Sequence, residues 1–239
     1  ENFFSKCAPA MFMGWSNLNF DRRMFHFNFF KGNRYPYITH TSPNQEHDGL
    51  HIARAAQTIN SETLKTELTV AGNESLALEA LARQQGFDIS SAHTAYVDAH
   101  NSLKVLRIIK DKHKASWENF LCTSTKSSVE TILKSEGIHS IFENVKGRNM
   151  MYLVCTLHPA HCFHPSYASW GYLWDLRRDP EPFLNMSVNE LKANLKKISP
   201  KALRVIKTNK APIVLDKKFA LKEKAYSDLD LETIKKRAE

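Results

Sequence analysis

The sequence predicts an α/β domain over residues 1–113, followed by a small β-rich domain over residues 114–239. Helical spacing of apolar residues recurs before residue 113. After it, short runs of β-prone residues alternate with prolines, which is typical of a small β-rich domain. With 239 residues and a hydrophobic fraction of 42%, the chain is long and apolar enough to form two modest cores.

Four helices are expected in the first domain. They cover residues 21–29, 48–59, 76–85 and 94–112. The second and fourth carry apolar side chains at the spacing of an amphipathic helix. For the third helix, Asn73 is a candidate N-cap, and Gly86 fits the left-handed position that follows a helix end.

Five strands and one helix are expected in the second domain. The strands cover residues 141–145, 150–157, 172–176, 204–207 and 213–215. The helix covers residues 187–197, because Ser187 and Glu190 have the spacing of a capping box. The sequence thus favours a small sheet that is interrupted by one helix.

The net charge of +8 is distributed unevenly along the chain. Residues 192–224 hold eleven basic and two acidic side chains. A basic field attracts polyanions, because binding to phosphates releases condensed counterions. A basic stretch is also an ordinary solvated surface, so the charge pattern makes nucleic acid a candidate partner and no more.

The sequence disfavours membrane and secreted proteins. No run approaches about 18 consecutive apolar residues, and the chain does not open on a basic segment followed by an apolar core. The four cysteines lack CxxC spacing, so a reducing cytoplasm is expected. The sequence contains neither a GxxxxGK[ST] nor a GxGxxG motif, which excludes the usual nucleotide-binding loops.

Two segments carry candidate catalytic residues. His93 precedes the fourth helix and Asp98 lies in its first turns. A histidine beside a carboxylate can deprotonate a water that a metal holds, although an Asp near a helix start is also favoured by the helix dipole alone. Asp21 follows Asn17 and Asn19 among aromatic residues, a setting that suits either the edge of a site or a helix cap.

A histidine-rich cluster, HPAHCFH, occupies residues 158–164. Imidazole and thiolate groups are zinc ligands, but these residues are too close together for a zinc finger, and the sequence offers no second ligand pair. A structural loop is therefore the favoured interpretation, and a zinc site is the alternative.

Four motifs in order resemble the DEDDh exonucleases of the RNase H-like fold, and most closely the bacterial exodeoxyribonuclease I family. The motifs are Gly14-Trp15-x-Asn17-x-x-Phe20-Asp21, Asp48-x-x-x-x-x-Arg54-Ala55, Ser75-Leu76-x-Leu78-Glu79-x-Leu81 and Ala92-His93-x-Ala95-x-x-Asp98-Ala99. Later segments resemble that family's SH3-like domain, namely Leu157-His158-Pro159, Trp174-Asp175-Leu176 and residues 200–212. The resemblance spans nearly the whole chain, with gaps.

The resemblance implies a 3′-to-5′ exonuclease that degrades single-stranded DNA to mononucleotides with two Mg²⁺ ions, in DNA repair and recombination. Asp21 and Asp98 would be acidic metal ligands, and His93 would be the general base. The first acidic pair of the family, Asp-x-Glu, does not occur at the matching place in these residues. We therefore expect it upstream of Glu1 and expect this fragment to be inactive alone.

The same resemblance implies contacts with single-stranded DNA at Arg54, Tyr37 and His26, with Arg54 on a phosphate and Tyr37 stacked on a base. Lys207 and Lys210 are candidate phosphate contacts in the SH3-like domain. A single-strand DNA-binding protein is an expected partner. We expect a cytoplasmic monomer that does not contact membranes.

Two departures from the family and two alternatives accompany this interpretation. Ala77 stands where the family tends to carry Arg or Lys, and Thr94 replaces an acidic residue.

A non-catalytic single-stranded DNA-binding module with a degenerate nuclease centre would keep Arg54 and the basic stretch without a metal site. A related DEDDh nuclease acting on RNA is the other alternative, because no motif here recognises the 2′-hydroxyl.

Overall fold

A computed structural model of the chain describes residues 2–90, 94–135, 137–157 and 165–239. Backbone contacts divide the chain into two compact units. The first unit comprises Glu1–Thr125 and Asn144–Met150, and the second comprises Lys126–Glu143 and Met151–Glu239. Among the described residues, no helix combines the length and apolar character that a membrane crossing requires.

The first unit contains six helices and a pair of parallel strands in its described residues. In chain order these are α1 (Asn2–Cys7), β1 (Met11–Gly14), α2 (Asp21–Lys31), β2 (Gln45–Asp48), α3 (Gly49–Ile59), α4 (Leu78–Gln84), α5 (Ala95–Lys112) and α6 (Trp117–Leu121). The four predicted helices are confirmed as α2 to α5. Residue 113, the predicted end of the first domain, follows α5 inside this unit.

The parallel strand pair was not predicted. Met11 lies opposite Gln45, and the register continues to Gly14 opposite Asp48. The β2 sequence, QEHD, is polar throughout, although three of its four residues are buried. A polar strand of this kind shows no alternation of apolar and polar residues, so the sequence alone does not mark it.

The core of the first unit forms where α3 packs against α5 and β1. The α3 side chains on this face are small or branched, so the two helices approach closely. Ile52, Ala53, Ala55 and Ala56 are completely buried, as are Val105 and Ile109 of α5. Burial of apolar surface contributes about 25 cal/mol per Å². The buried apolar faces of α3 and α5, which the sequence predicted, therefore stabilise the packing of these two helices.

The start of α4 corrects one prediction. Its N-cap is Ala77, whose side chain makes no capping hydrogen bond. Asn73 instead pairs with Thr69, since the Thr69 amide donates to the Asn73 carbonyl at 2.7 Å and the Asn73 amide donates to Thr69 Oγ1 at 3.2 Å. The prediction that Gly86 ends this helix in a left-handed conformation is confirmed by its φ of +73°.

The second unit is built on a five-stranded sheet. Its elements are α7 (Lys126–Ser135), β3 (Ile138–Val145), β4 (Arg148–Thr156), β5 (Trp170–Asp175), α8 (Glu181–Leu184), α9 (Val188–Lys197), β6 (Leu203–Lys207), β7 (Val214–Asp216) and α10 (Leu231–Ala238). The strand order is β6-β5-β4-β3-β7, and the registered pairs β3–β7, β4–β5 and β5–β6 are antiparallel. All five predicted strands are present, and the predicted capping box of Ser187 and Glu190 begins α9.

A buried ion-pair network lies in the second unit around Asp175, which has no exposed surface. Its carboxylate accepts from Arg204 Nε at 3.1 Å, from Arg177 Nη2 at 2.5 Å and from the Tyr226 hydroxyl at 3.0 Å. Burial acts to raise the pKa of Asp175, but the hydrogen bonds and charges of the two arginines outweigh it and hold that pKa below its usual value. The Arg204 guanidinium also lies over the ring of Tyr152, 3.1 Å from its centroid.

Candidate nuclease site

Asp21 and Asp98 line the same cleft of the first unit, which has a volume of about 440 Å³. Asp21 is the first residue of α2, and Asp98 lies in the first turn of α5. The positive end of each helix dipole stabilises a carboxylate at that place. The helix-cap alternative for Asp21 is wrong, because the cap residue is Phe20 and no side chain caps the helix. His93 lies outside the described residues.

The loop that leads from β1 to Asp21 is positioned by Asp48. This carboxylate is completely buried and accepts from the backbone amides of Ser16 at 2.9 Å, Leu50 at 3.0 Å and Leu18 at 3.4 Å. It thereby caps α3 and holds the loop at once. Gly49 allows the close approach, since a Cβ there would lie 3.0 Å from the Gly14 carbonyl oxygen.

One wall of this cleft is aromatic. The ring of Phe4 meets Phe12 and Phe25 edge to face, with centroids 5.2 and 5.8 Å apart. Both partners line the cleft together with Phe4 itself. An apolar wall beside two carboxylates lowers the local dielectric, which strengthens the interaction of those carboxylates with a bound cation.

Arg22 and Glu46 form a charged part of the cleft lining, in contrast to the aromatic wall. The sequence analysis did not identify either residue. Both line the cleft, and Arg22 Nε donates to Glu46 Oε2 in a nearly buried ion pair. The Thr39 hydroxyl donates to the other carboxylate oxygen. The adjacency of Arg22 to Asp21 was visible in the sequence, but the place of Glu46 depends on the parallel pairing of β2 with β1.

Arg54 lines a second cleft of about 300 Å³ in the same unit. Burial lowers the pKa of Arg54, against the opposing charge of Asp48. Among the described residues, its guanidinium has no hydrogen bond or ion pair, and the Glu74 carboxylate in this cleft instead accepts from Gln57 and Thr66. A half-buried cation without a partner is costly, so this cleft is suited to an anionic ligand. Trp15 lines both clefts.

Tyr37 and His26, the other predicted DNA contacts of the first unit, lie together. Their ring centroids are 5.0 Å apart, and the His40 ring lies 5.1 Å from His26 and 5.6 Å from Tyr37. Tyr37 is 47% exposed, so part of its ring is available for stacking. Lys207 and Lys210 belong to the second unit, where Lys207 ends β6 and is exposed while Lys210 is half-buried.

The donor set of the first cleft suits a divalent cation that prefers oxygen ligands. Asp21 and Asp98 supply carboxylate oxygens, which are the ligands that Mg²⁺ prefers. No group of three or more His, Cys, Asp or Glu side chains lies close enough to hold a metal among the residues that the structure describes. The alternative zinc cluster at residues 158–164 lies outside those residues.

The buried histidine of β2 makes the stability of the first unit pH-dependent. His47 has no exposed surface, and its Nδ1 accepts from the Asp48 amide at 2.8 Å. Burial, followed by the charge of His51, lowers the pKa of His47 from 6.5 to about 4. Its stabilising contribution is therefore complete above pH 6.5 and is lost as the pH falls from 6.5 towards 4, where the folded protein also takes up the proton.

We expect the free energy of unfolding to fall by about 2 kcal/mol through His47 between pH 7.5 and pH 5. Urea unfolding of the wild type and of His47→Leu at both pH values measures this term as a difference between the two proteins. The pKa values of His40 and His113 are also lowered, by burial above all, but both histidines remain in both proteins and cancel in the difference. Equal pH dependence in the two proteins would show that His47 is not the titrating group.

The chain has sequence relatives among known proteins. No protein-family model matches the chain. The chain is 25% identical over 229 residues to exodeoxyribonuclease I of Haemophilus influenzae, which covers 89% of this chain and 47% of that protein. It is 24% identical over 230 residues to exodeoxyribonuclease I of Buchnera aphidicola, covering 89% of the chain and 46% of the relative. The chain thus spans about half the length of the curated relatives that it matches.

Solved structures show the fold. Exonuclease I of E. coli in complex with a 5cy-dT13 oligonucleotide matches 99% of this chain with a TM-score of 0.73 at 17% identity, over 53% of its own length. Exonuclease I of Methylocaldum szegediense also matches 99% of the chain, with a TM-score of 0.73 at 18% identity and 53% of its length. The chain is therefore similar in fold to exonuclease I, and resembles about half of exodeoxyribonuclease I in sequence.

Proposed function

We propose that this chain forms part of a 3′-to-5′ exonuclease that degrades single-stranded DNA to mononucleotides. One observation carries the proposal: Asp21 and Asp98, which are far apart in sequence, line one cleft of a fold similar to that of exonuclease I. The names of both curated relatives support a DNA exonuclease. An RNase H-like first domain and an SH3-like second domain, divided near residue 113, are part of the same proposal.

In the proposed mechanism, Asp21 and Asp98 would hold divalent metal, taken to be two Mg²⁺ ions in the intact enzyme. When bound, such ions neutralise charge on the scissile phosphate and lower the pKa of the attacking water. His93 accepts the proton of that water as general base. The water oxygen bonds to phosphorus, and the bond from phosphorus to the 3′ oxygen of the preceding nucleotide breaks. That 3′ oxygen takes up a proton, and one mononucleotide leaves.

The DNA strand is proposed to contact the guanidinium of Arg54 and the rings of Tyr37 and His26. Arg54 binds a backbone phosphate, because its half-buried guanidinium forms no ion pair or hydrogen bond among the described residues. Tyr37 stacks on a base, with His26 supporting its ring from the side. Lys207 and Lys210 supply further phosphate contacts from the second unit.

A role in DNA repair and recombination and a single-strand DNA-binding protein as partner belong to the same proposal. Support for the partner, but not for the repair role, comes from two matching structures, the exonuclease I bound to dT13 and the ExoI/SSB-Ct complex, which matches with a TM-score of 0.73 at 16% identity. A monomeric state and a cytoplasmic location stay predictions from the sequence.

Digestion of labelled DNA tests the proposed function. The substrate is a 5′-fluorescein dT oligomer, and the protein is this chain preceded by a strand that supplies the Asp-x-Glu pair of exodeoxyribonuclease I. We expect Mg²⁺-dependent shortening from the 3′ end, little cleavage of a blunt duplex, and no cleavage of an oligomer blocked by a 3′ phosphorothioate. Cleavage inside the strand, or equal cleavage of an RNA oligomer, would contradict the proposal.

A non-catalytic single-stranded DNA-binding module is the second candidate. It would need only Arg54 and the basic stretch of residues 192–224, and no metal site. Under this alternative the chimeric protein binds the oligomer, and Arg54→Ala weakens binding, but the oligomer stays intact in Mg²⁺.

A further inference from the structure

The turn that joins β3 to β4 belongs to the first unit. Asn144–Met150 cluster with that unit, and Arg148 Nε donates to Asn73 Oδ1 at 3.3 Å. Lys146 and Gly147 have positive φ angles of 51° and 84°, as the two central residues of a tight hairpin turn require. A Cβ at Gly147 would lie 2.8 Å from Asn73 Nδ2, so the turn lies directly against this side chain.

Two asparagines of this turn line the cleft of Arg54. Asn144 Oδ1 accepts from the Gly147 amide at 3.2 Å, and Asn144 Nδ2 donates to Asn149 Oδ1 at 2.9 Å. These bonds orient the Asn149 amide, whose own nitrogen donates to no residue in the described part of the chain. The Asn149 amide and the Arg54 guanidinium, which line the same cleft, could thus donate a neutral and a charged hydrogen bond to one ligand.

The charge of the turn matches a phosphodiester strand. Lys146 and Arg148 are exposed, and neither forms an ion pair with a carboxylate among the residues described. With Arg54, which lines the cleft, the two turn residues give this part of the first unit three cations. The indole of Trp15 completes its wall, and its Nε1 donates to the Leu76 carbonyl at 3.0 Å, which holds the ring in a set orientation.

We propose that the turn Asn144–Met150 and Arg54 form a nucleotide subsite for single-stranded DNA. Arg54 binds a phosphate, the Trp15 ring faces a base, and the Asn149 amide donates to a carbonyl at the base edge, while Lys146 attracts a neighbouring phosphate. Because Trp15 also lines the cleft of Asp21 and Asp98, a strand held here continues towards the carboxylates. The inference rests on the proposed function, since the ligand is the same single strand.

Fluorescence anisotropy of a labelled dT12 oligomer, measured with this chain in EDTA, tests the subsite. Asn149→Asp keeps the oxygen that Asn144 bonds but removes the amide donor and adds a negative charge, so we expect affinity to fall about tenfold or more with an unchanged melting temperature. Lys146→Ala should reduce the steepness of log Kd against log salt by about 0.7, the value for one phosphate contact on a single strand. Lys110→Ala, which removes an exposed cation of α5, should leave that slope unchanged.

An abasic oligomer of the same length separates base from phosphate contacts. The wild type should bind it more weakly than dT12, and Asn149→Ala should weaken binding to dT12 by about five- to tenfold but leave binding to the abasic strand unaltered. If Arg54→Ala weakens binding while Asn149→Asp and Lys146→Ala bind like the wild type, the subsite is wrong and the proposed function stands. If the wild type does not bind dT12 at all, both are wrong.

Discussion

Replacing Asp98 with Asn is expected to reduce Mg²⁺-dependent digestion of single-stranded DNA by at least about a hundredfold. Loss of a residue that only supports a metal ligand costs about ten- to a hundredfold, so loss of a ligand itself should cost more. The measurement is the initial rate of shortening of a 5′-labelled dT oligomer by the chain joined to an Asp-x-Glu strand. Asp21→Asn should have an effect of the same order, because both carboxylates line one cleft.

The matched control for Asp98 is Asp111→Asn on the same helix. Asp111 is exposed near the end of α5 and lines neither cleft. Its replacement should leave the digestion rate within about twofold, because an exposed surface substitution disturbs little. DNA binding in EDTA should survive Asp98→Asn, since removal of a negative charge near a phosphate does not weaken binding. Loss of binding together with activity would mean that Asp98 holds the fold and not the metal.

Asp175→Asn is expected to lower the free energy of unfolding of the second unit by about 3–5 kcal/mol. The physical reason is that Arg204, with only 5% of its side chain exposed, would keep its charge in the interior without its fully buried counter-charge. Arg177 and the Tyr226 hydroxyl would lose a charged acceptor as well. Urea dependence of amide hydrogen exchange in peptides from β4 and β5 measures the stability of this unit by itself.

Glu143→Gln is the graded control for Asp175. Glu143 accepts from the same guanidinium, at 2.8 Å from Arg204 Nη1, but its side chain is 25% exposed. Water therefore screens the loss, and we expect a cost below about 1 kcal/mol. Equal effects of the two substitutions would show that burial of Asp175 does not decide the energetics of the network.

The candidate site divides between residues that local pattern could predict and residues that it could not. Asp21 and Asp98 stood out because each lies in the first turn of a helix inside a recognisable motif. Glu46 did not, because its burial depends on the pairing of the polar strand β2 with β1. In that pairing Glu46 lies opposite Phe12, which is 34 residues earlier in the chain. The turn asparagines Asn144 and Asn149 likewise carried no signal, since a turn rich in Asn and Gly looks the same on any surface.

By itself the sequence determined α2 to α5, α9 and the five strands of the second unit, because apolar periodicity, caps and turn residues act over a few residues along the chain. It also determined the order of motifs that resembles exodeoxyribonuclease I. Only the tertiary structure decided which side chains share a cleft. It also showed that the Asp48 carboxylate accepts hydrogen bonds from three backbone amides. The guanidinium of Arg54, in turn, has no hydrogen-bond or ion-pair partner among the described residues. These properties depend on burial and on contacts between distant segments, and no local pattern of residues encodes them.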